Sequence, residues 1–305
     1  MKVVRFIDDQ WILEHPTGAI AFKHLLQGED GTPENFMLIL GRQDRDYTMP
    51  IHRHNFDQIR LPLVGDMNLG RRGILREGQV GYFPEGLSYG PQEDALGHAR
   101  PGERVQLVLQ FGGASGQGFM SIEQRRKALA ELGQIGRIEG RLFHHPDGKT
   151  EPLLNAAWKH VYGTRMRFPS PRYQHIIVAE PRAFNWLSVA GQPGVERQYF
   201  GSFSERGVWA EKVRIAPGAA WQDRGRAAYR LVFVLQGKGT VEGNPVETWS
   251  AIELGEDESA IVSASREEGL ELFMMGLPWV QAPSGDPAAC EEVPEFGDPL
   301  NDPVV

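Results

Sequence analysis

The sequence predicts an all-β chain of two antiparallel, jelly-roll-type barrels joined by a short helical region. Three observations predict it. Short apolar runs separated by Gly, Pro and Asp fill the stretch from Phe36 to Phe111 and return from Tyr199 to Gly276, the pattern of antiparallel strands and tight turns. Between these blocks the text changes to helix formers bounded by cap residues. A length of 305 residues suits two cores better than one. The implied division is 1–120 for the first barrel, 121–180 for the helical region, 181–280 for the second barrel and 281–305 for a tail.

In the first block the strand segments read FMLIL from Phe36, QIRLPLVG from Gln58, DMNLG from Asp66, QVGYFP from Gln79 and RVQLVLQF from Arg104. At Ser121 the tetrapeptide SIEQ forms a capping box and RRKALAEL continues the helix until Gly133. A second helix is expected in EPLLNAAWKHVYG, with Pro152 in its first turn and Gly163 past its end. Strands return as FGSFSE, VWAEKVRI, YRLVFVLQG, GTVEG and LELFMMG. After Pro278 the chain is rich in Pro and acids, as a tail or an arm lying on another surface would be.

Composition narrows the function. With 41% hydrophobic and 24% charged residues the chain reads as a folded globular protein. The net charge of -8 argues against nucleic acid and anionic membranes, whose phosphates need a concentrated positive field, and favours a small-molecule partner. Cys290 is the single cysteine, so no internal disulfide forms, and Asp8 and Asp9 interrupt any signal-peptide core at the start. No apolar run reaches the roughly 20 residues that cross a bilayer. A cytoplasmic protein is expected, and an uncovered edge strand would favour a homodimer.

The chemistry concentrates in IHRHNFDQIRLPLVG. There His52, His54, Gln58 and Arg60 stand at even spacing, which on a strand puts their side chains on one face. Downstream, the turn at Pro84 and Gly86 returns Tyr89 toward the histidines. Imidazole nitrogen suits Fe, Zn, Ni and Cu, and the amide oxygen of Gln58 is a weaker neutral ligand.

These residues resemble the motifs of the cupin superfamily. His52, His54, Gln58 and Gly65 hold the spacing of its first motif; Gly78, Pro84 and Gly86 fit its second, with Tyr89 and Glu93 in the last two places. Asp46 stands where the first motif has glycine, Gln58 where it has an acid, and Tyr89 where the second has histidine. The resemblance implies a bicupin with an intact H-x-H only in the first barrel. It implies one divalent transition metal on His52, His54, Gln58 and Tyr89, with His98, Gln106 and Gln110 as further candidates for the shell. Tyr89 would ligate or shuttle a proton, and Arg60 would orient an anionic substrate group. The implied function is a metal-dependent enzyme on a small oxygenated organic substrate, most often a dioxygenase in such proteins. A zinc-type cyclase, isomerase or lyase is the alternative on the same site, and a non-catalytic ligand-binding or structural bicupin is the alternative of another class.

In the second block the same spacing falls on Arg224, Arg226, Arg230 and Gly237, and the second motif's histidine place on Arg266. Guanidinium has no lone pair to offer, so this barrel takes no cation there. Converging arginines would bind an anion; otherwise they are structural, turned to solvent or paired with acids. His144, His145 and His160 are expected as surface or capping residues, and FGGASGQG as a connection rather than a phosphate loop.

Overall fold

The computed structural model describes residues 1–305 except 8–10, 13–18, 33, 44–46, 94–103, 114, 226–227, 279–289 and 293–305, and side chains are not described at 93 and 290–292. Two β-rich blocks flank a short helical region. Among the described residues the first block centres on a six-stranded sheet in which Ile177–Ala179, Val80–Phe83, Asp57–Val64, Arg104–Phe111, Phe36–Gln43 and Ile20–Gln27 lie side by side. All pairings in it are antiparallel. The second block is a larger sheet built on Val195–Ser202, Trp209–Ile215, Arg230–Val241, Ala251–Leu254 and Leu270–Gly276. Among the described residues sheet membership departs from chain order at three places, one being the pairing of Arg167–Pro169 with Cys290–Glu292. Lys2–Val4 pairs with Ala251–Leu254 of the second block, and Ile177–Ala179 pairs with Val80–Phe83 of the first.

Period-two alternation explains how the sheets pack. Leu38, Leu40, Ile59, Leu61, Leu107, Leu109 and Phe111 from one sheet share a buried cluster with Phe200, Leu231, Phe233, Phe273 and Met275 from the other. The blocks are therefore fused through an apolar sheet-on-sheet contact. The opposite faces differ in kind. In the second block that face carries Val213, Trp221, Val232, Val234, Leu272 and Met274, an apolar filling interrupted by the buried Glu211 and by Arg230 paired with Asp223. In the first block it carries Gln58, Arg60 and Gln106, all buried, beside Met37, Ile39 and Val108.

The helices follow their cap signals. Helix α1, Ile122–Ile135, starts at Ser121, whose side chain accepts from Gln124 N while the Gln124 side chain returns to the cap. It passes through Gly133 and ends at Gly136, so an isolated glycine does not stop it. Helix α2, Leu153–Tyr162, ends at Gly163 with φ 70°. Between them lies a three-stranded sheet of Arg137–Glu139, Leu142–His144 and Thr150–Pro152, for which the sequence patterning gives no expectation. The segments YRLVFVLQG and GTVEG, expected as two strands, form the single strand Arg230–Val241. A register shift between Val234 and Gln236 and a left-handed Gly237 let it leave one set of partners for another. A Cβ on Gly237 would stand 1.9 Å from Gly269 O, so only glycine permits that bend. No helix among the described residues is long and apolar enough to cross a membrane.

The second-block arginines do not converge. Arg230 is fully buried, its Nε donating to Asp223 Oδ2 at 2.9 Å and its other nitrogens to the carbonyls of Ala228, Gly255 and Glu258. Arg224 and Arg266 are exposed, and Arg226 lies outside the described residues. The expected alternative of an anion bound among converging arginines has no geometric basis here.

Candidate functional site

The strand that carries the site is shorter than the even spacing implies. It runs Asp57–Val64 and so includes Gln58 and Arg60, whereas His52 forms an isolated bridge with Tyr89 and His54 lies in the segment before the strand. Backbone bonds nevertheless hold both histidines beside it. His52 and Tyr89 exchange N–H···O bonds at 3.0 Å in both directions, and Gly86 N donates to His54 O at 2.7 Å. Gly86 has φ 78°, and a Cβ there would stand 1.9 Å from Pro169 O, so the turn that returns Tyr89 requires glycine.

The five residues form one buried cluster. Exposure is 4% for His52, 8% for His54, 0% for Gln58, 7% for Arg60 and 2% for Tyr89. The imidazole centroids of His52 and His54 are 5.1 Å apart, and Tyr89 lies 4.3 Å from the first and 5.9 Å from the second. Arg60 Nε donates to Gln58 Oε1 at 2.6 Å, and its Nη2 donates to the Tyr89 hydroxyl oxygen at 2.7 Å. That hydroxyl meets His54 Nε2 at 2.9 Å. The guanidinium also lies 4.8 Å from the Phe83 ring, a cation–π contact.

Protonation states follow from burial. Burial holds the His54 pKa well below its ordinary 6.5, and the neighbouring His52 and Arg60 push it the same way, so the ring is neutral. Burial raises the Tyr89 hydroxyl, which Arg60 only partly offsets. A neutral phenol that accepts from Arg60 then donates to His54 Nε2, which leaves the other proton of His54 on Nδ1. That Nδ1 is buried without a partner, as is Gln58 Nε2. His52 Nδ1 meets Pro50 O at 2.8 Å; a carbonyl only accepts, so this nitrogen carries a proton.

A divalent ion does not fit the cluster in this arrangement. Among the described residues no three His, Cys, Asp or Glu side chains gather to hold one. The donors beside the imidazoles are a neutral amide and a phenol, and both are engaged by a guanidinium. An ion at Gln58 Oε1 or the Tyr89 oxygen would have to displace a fixed positive charge, and among the described residues no carboxylate joins the cluster to offset the repulsion. Gln106 is buried with an unpartnered Oε1, and Gln110 is half-buried facing α1. His98, Asp46 and the Glu93 side chain lie outside the described residues.

One group that sequence patterning does not single out lies on the strand's other face. Asp57 accepts from the Tyr82 hydroxyl at 2.7 Å and from Glu85 N at 2.8 Å, while Glu85 accepts from Ser115 N and Oγ at 2.6 and 2.7 Å. Burial, then the charge of Asp57, raises Glu85 from 4.5 to about 7 against the opposing Ser115 bonds. A carboxyl whose folded pKa is raised stabilises fully below its unfolded pKa and loses that contribution as pH rises through the folded value. The thermal midpoint should therefore fall as pH rises from about 4.5 to about 7, and Glu85→Gln should flatten that slope; a wild-type midpoint constant across the window contradicts it.

Elsewhere, His145 pairs with Glu151 at 2.8 Å and His160 with Glu131 at 2.6 Å, so these histidines tie the helical region together. A groove of ≈710 Å³ beside Gly191, Arg214 and Glu271 in the second block shares no residue with the cluster.

No protein-family model matches the chain, and no curated protein matches it by sequence. Solved structures do match its fold. A protein of Nostoc punctiforme described as a candidate dioxygenase aligns with TM-score 0.54 at 12% identity, over 95% of this chain and 81% of its own. A single-residue mutant of Bacillus subtilis oxalate decarboxylase aligns with TM-score 0.53 at 13% identity, over 90% and 76%. HEPD of Streptomyces albus, with 2-hydroxyethylphosphonate and Fe(II) bound, aligns with TM-score 0.54 at 12% identity, over 90% and 74%. At such identities the likeness is one of fold alone, a β-rich fold that the chain shares with these three structures.

Proposed function

We propose that the first block is an enzymatic small-molecule site that takes an anionic, oxygenated organic substrate such as a small carboxylate. One observation carries the reading: buried donors of the cluster have no acceptor bonded to them. His54 Nδ1 and Gln58 Nε2 are unpartnered, and the Arg60 charge rests on neutral groups only. An oxyanion supplies what all three lack, because it brings acceptor oxygens and the missing negative charge together. In this scheme Arg60 orients the anionic group and Gln58 and His54 fix its rotation. Tyr89 holds its proton beside a neutral His54, so the pair passes one proton between imidazole and phenol as general acid and base. Proton-transfer chemistry of the isomerase, cyclase or lyase kind follows.

Titration of the full chain with acetate, pyruvate and succinate against the matching amides, observed at the His54 ring by NMR, tests it. At least one carboxylate should saturate and its amide should not. Tyr89→Phe should keep binding but lower turnover about 10²–10⁴-fold, the usual contribution of a positioned acid. Amides that bind as tightly as carboxylates would refute the charge reading.

A second reading is metal-dependent chemistry of the dioxygenase type, with His52, His54, Gln58 and Tyr89 as ligands. The Nδ1 bond to Pro50 O favours it, because a backbone carbonyl orients the His52 ring as an outer partner of a metal-bound imidazole does. It requires Arg60 to release two partners. Elemental analysis of chelator-free protein separates the readings: about one transition-metal ion per chain carries the second.

A further inference from the structure

A second set of unsatisfied donors lies where the first sheet meets the two helices. There a cavity of ≈50 Å³ is lined by Met37, Asn55, Phe56, Ile122, Arg125 and Trp158, among others. Asn55 is 4% exposed and Trp158 2%. Both Asn55 Nδ2 and Trp158 Nε1 are buried without a hydrogen-bond partner. Indole nitrogen only donates, so Trp158 can be satisfied by nothing except an acceptor.

The rest of the lining has the same polarity. Helix α1 begins at this cavity through Ser121 and Ile122, which turns the positive end of its dipole toward it. None of the lining residues is a carboxylate. Apart from the half-buried Gln110 amide, the other walls are Met, Phe, Ile and Leu side chains, which give a water few partners. A bound water needs two to four polar contacts and about 10–15 Å³, so the space exceeds one water while its walls serve several poorly.

We propose that this cavity is a binding site for a small carboxylate of one or two carbons, with Trp158 Nε1 and Asn55 Nδ2 donating to its oxygens and the start of α1 supplying the field. The site is distinct from the Arg60 cluster, although Asn55 adjoins His54 in sequence and the Phe56 ring lies 4.6 Å from the His54 ring. It does not depend on the reading given to that cluster.

The indole N–H resonance of Trp158, assigned through Trp158→Phe, reports occupancy in the full chain. Sodium formate and sodium acetate, at constant ionic strength set with sodium chloride, should shift it saturably, and acetamide should not. Asn55→Leu should weaken the response at least tenfold, with folding checked by the thermal midpoint; should that variant fail to fold, Asn55→Asp, which places a like charge at the oxygens, should abolish the response. Arg60→Met should leave it unchanged, which separates this site from the cluster. A resonance that ignores both carboxylates, one that follows acetamide equally, or one whose response disappears with Arg60 overturns the proposal.

Discussion

Arg60→Met is expected to weaken binding of the anionic ligand by about 30-fold or more, because truncating one partner of a buried, hydrogen-bonded charge pair costs about 2–5 kcal/mol. Stability should move differently. In the free protein the guanidinium is 7% exposed and bonded to an amide and a phenol, neither of which offsets its charge. Methionine removes that desolvated charge while keeping an unbranched stem, so the thermal midpoint should hold or rise. A residue kept for structure would behave oppositely, with a lowered midpoint and unchanged ligand affinity. His54 gives a second readout. Arg60 is one of the causes that depress its pKa, after burial and His52, so the ring should titrate higher in the variant.

Asp223→Ala is expected to cost about 3–5 kcal/mol, since it removes a carboxylate that pairs with a buried guanidinium. Arg230 is 0% exposed and Asp223 3%, so water cannot take over the lost interaction. Carbonyls of Ala228, Gly255 and Glu258 keep three hydrogen bonds to Arg230 but carry no net charge. Urea unfolding measures the loss. The double change Asp223→Ala with Arg230→Met should recover much of it, because an apolar pair in that place leaves no charge to compensate. A single-variant cost below about 1 kcal/mol would mean that the carbonyls alone hold the arginine. The two buried guanidiniums thus differ in kind: Arg230 has a carboxylate of its own, and Arg60 is bonded to neutral groups.

Much of the fold was legible because its signals are local. The Ser121 capping box, Gly163 past α2 and the alternating segments from Phe36 to Phe111 each fix their element within a few residues. The exchanged strands Lys2–Val4 and Ile177–Ala179 were not, since pairing between distant segments leaves no mark in either one. The hairpin strands between the helices were missed although Gly140 and the Asp147–Gly148 turn punctuate them. Each strand is only three residues long, too short to show a period.

At the site, the structure gathers His52, His54, Gln58, Arg60 and Tyr89 as their spacing implies, although His52 and His54 reach the cluster without sharing a strand with Gln58. What spacing does not carry is which atom each side chain engages. Arg60 reads in sequence as an outlying substrate contact, whereas its Nε and Nη2 bind two residues named as metal ligands. The Asp57 and Glu85 pair escaped for a related reason: a carboxyl on a strand usually faces water, and nothing local shows that both are buried.

Cobalt titration of the wild type and of Arg60→Ala, followed by visible absorption, tests the central claim that a tethered guanidinium holds the place of a cation. The account predicts no ligand-field band from the wild type at one equivalent of Co(II). It predicts a saturable band from Arg60→Ala that is lost when His52 and His54 are also replaced. A stoichiometric, histidine-dependent band from the wild type would contradict it and would make His52, His54, Gln58 and Tyr89 the metal centre.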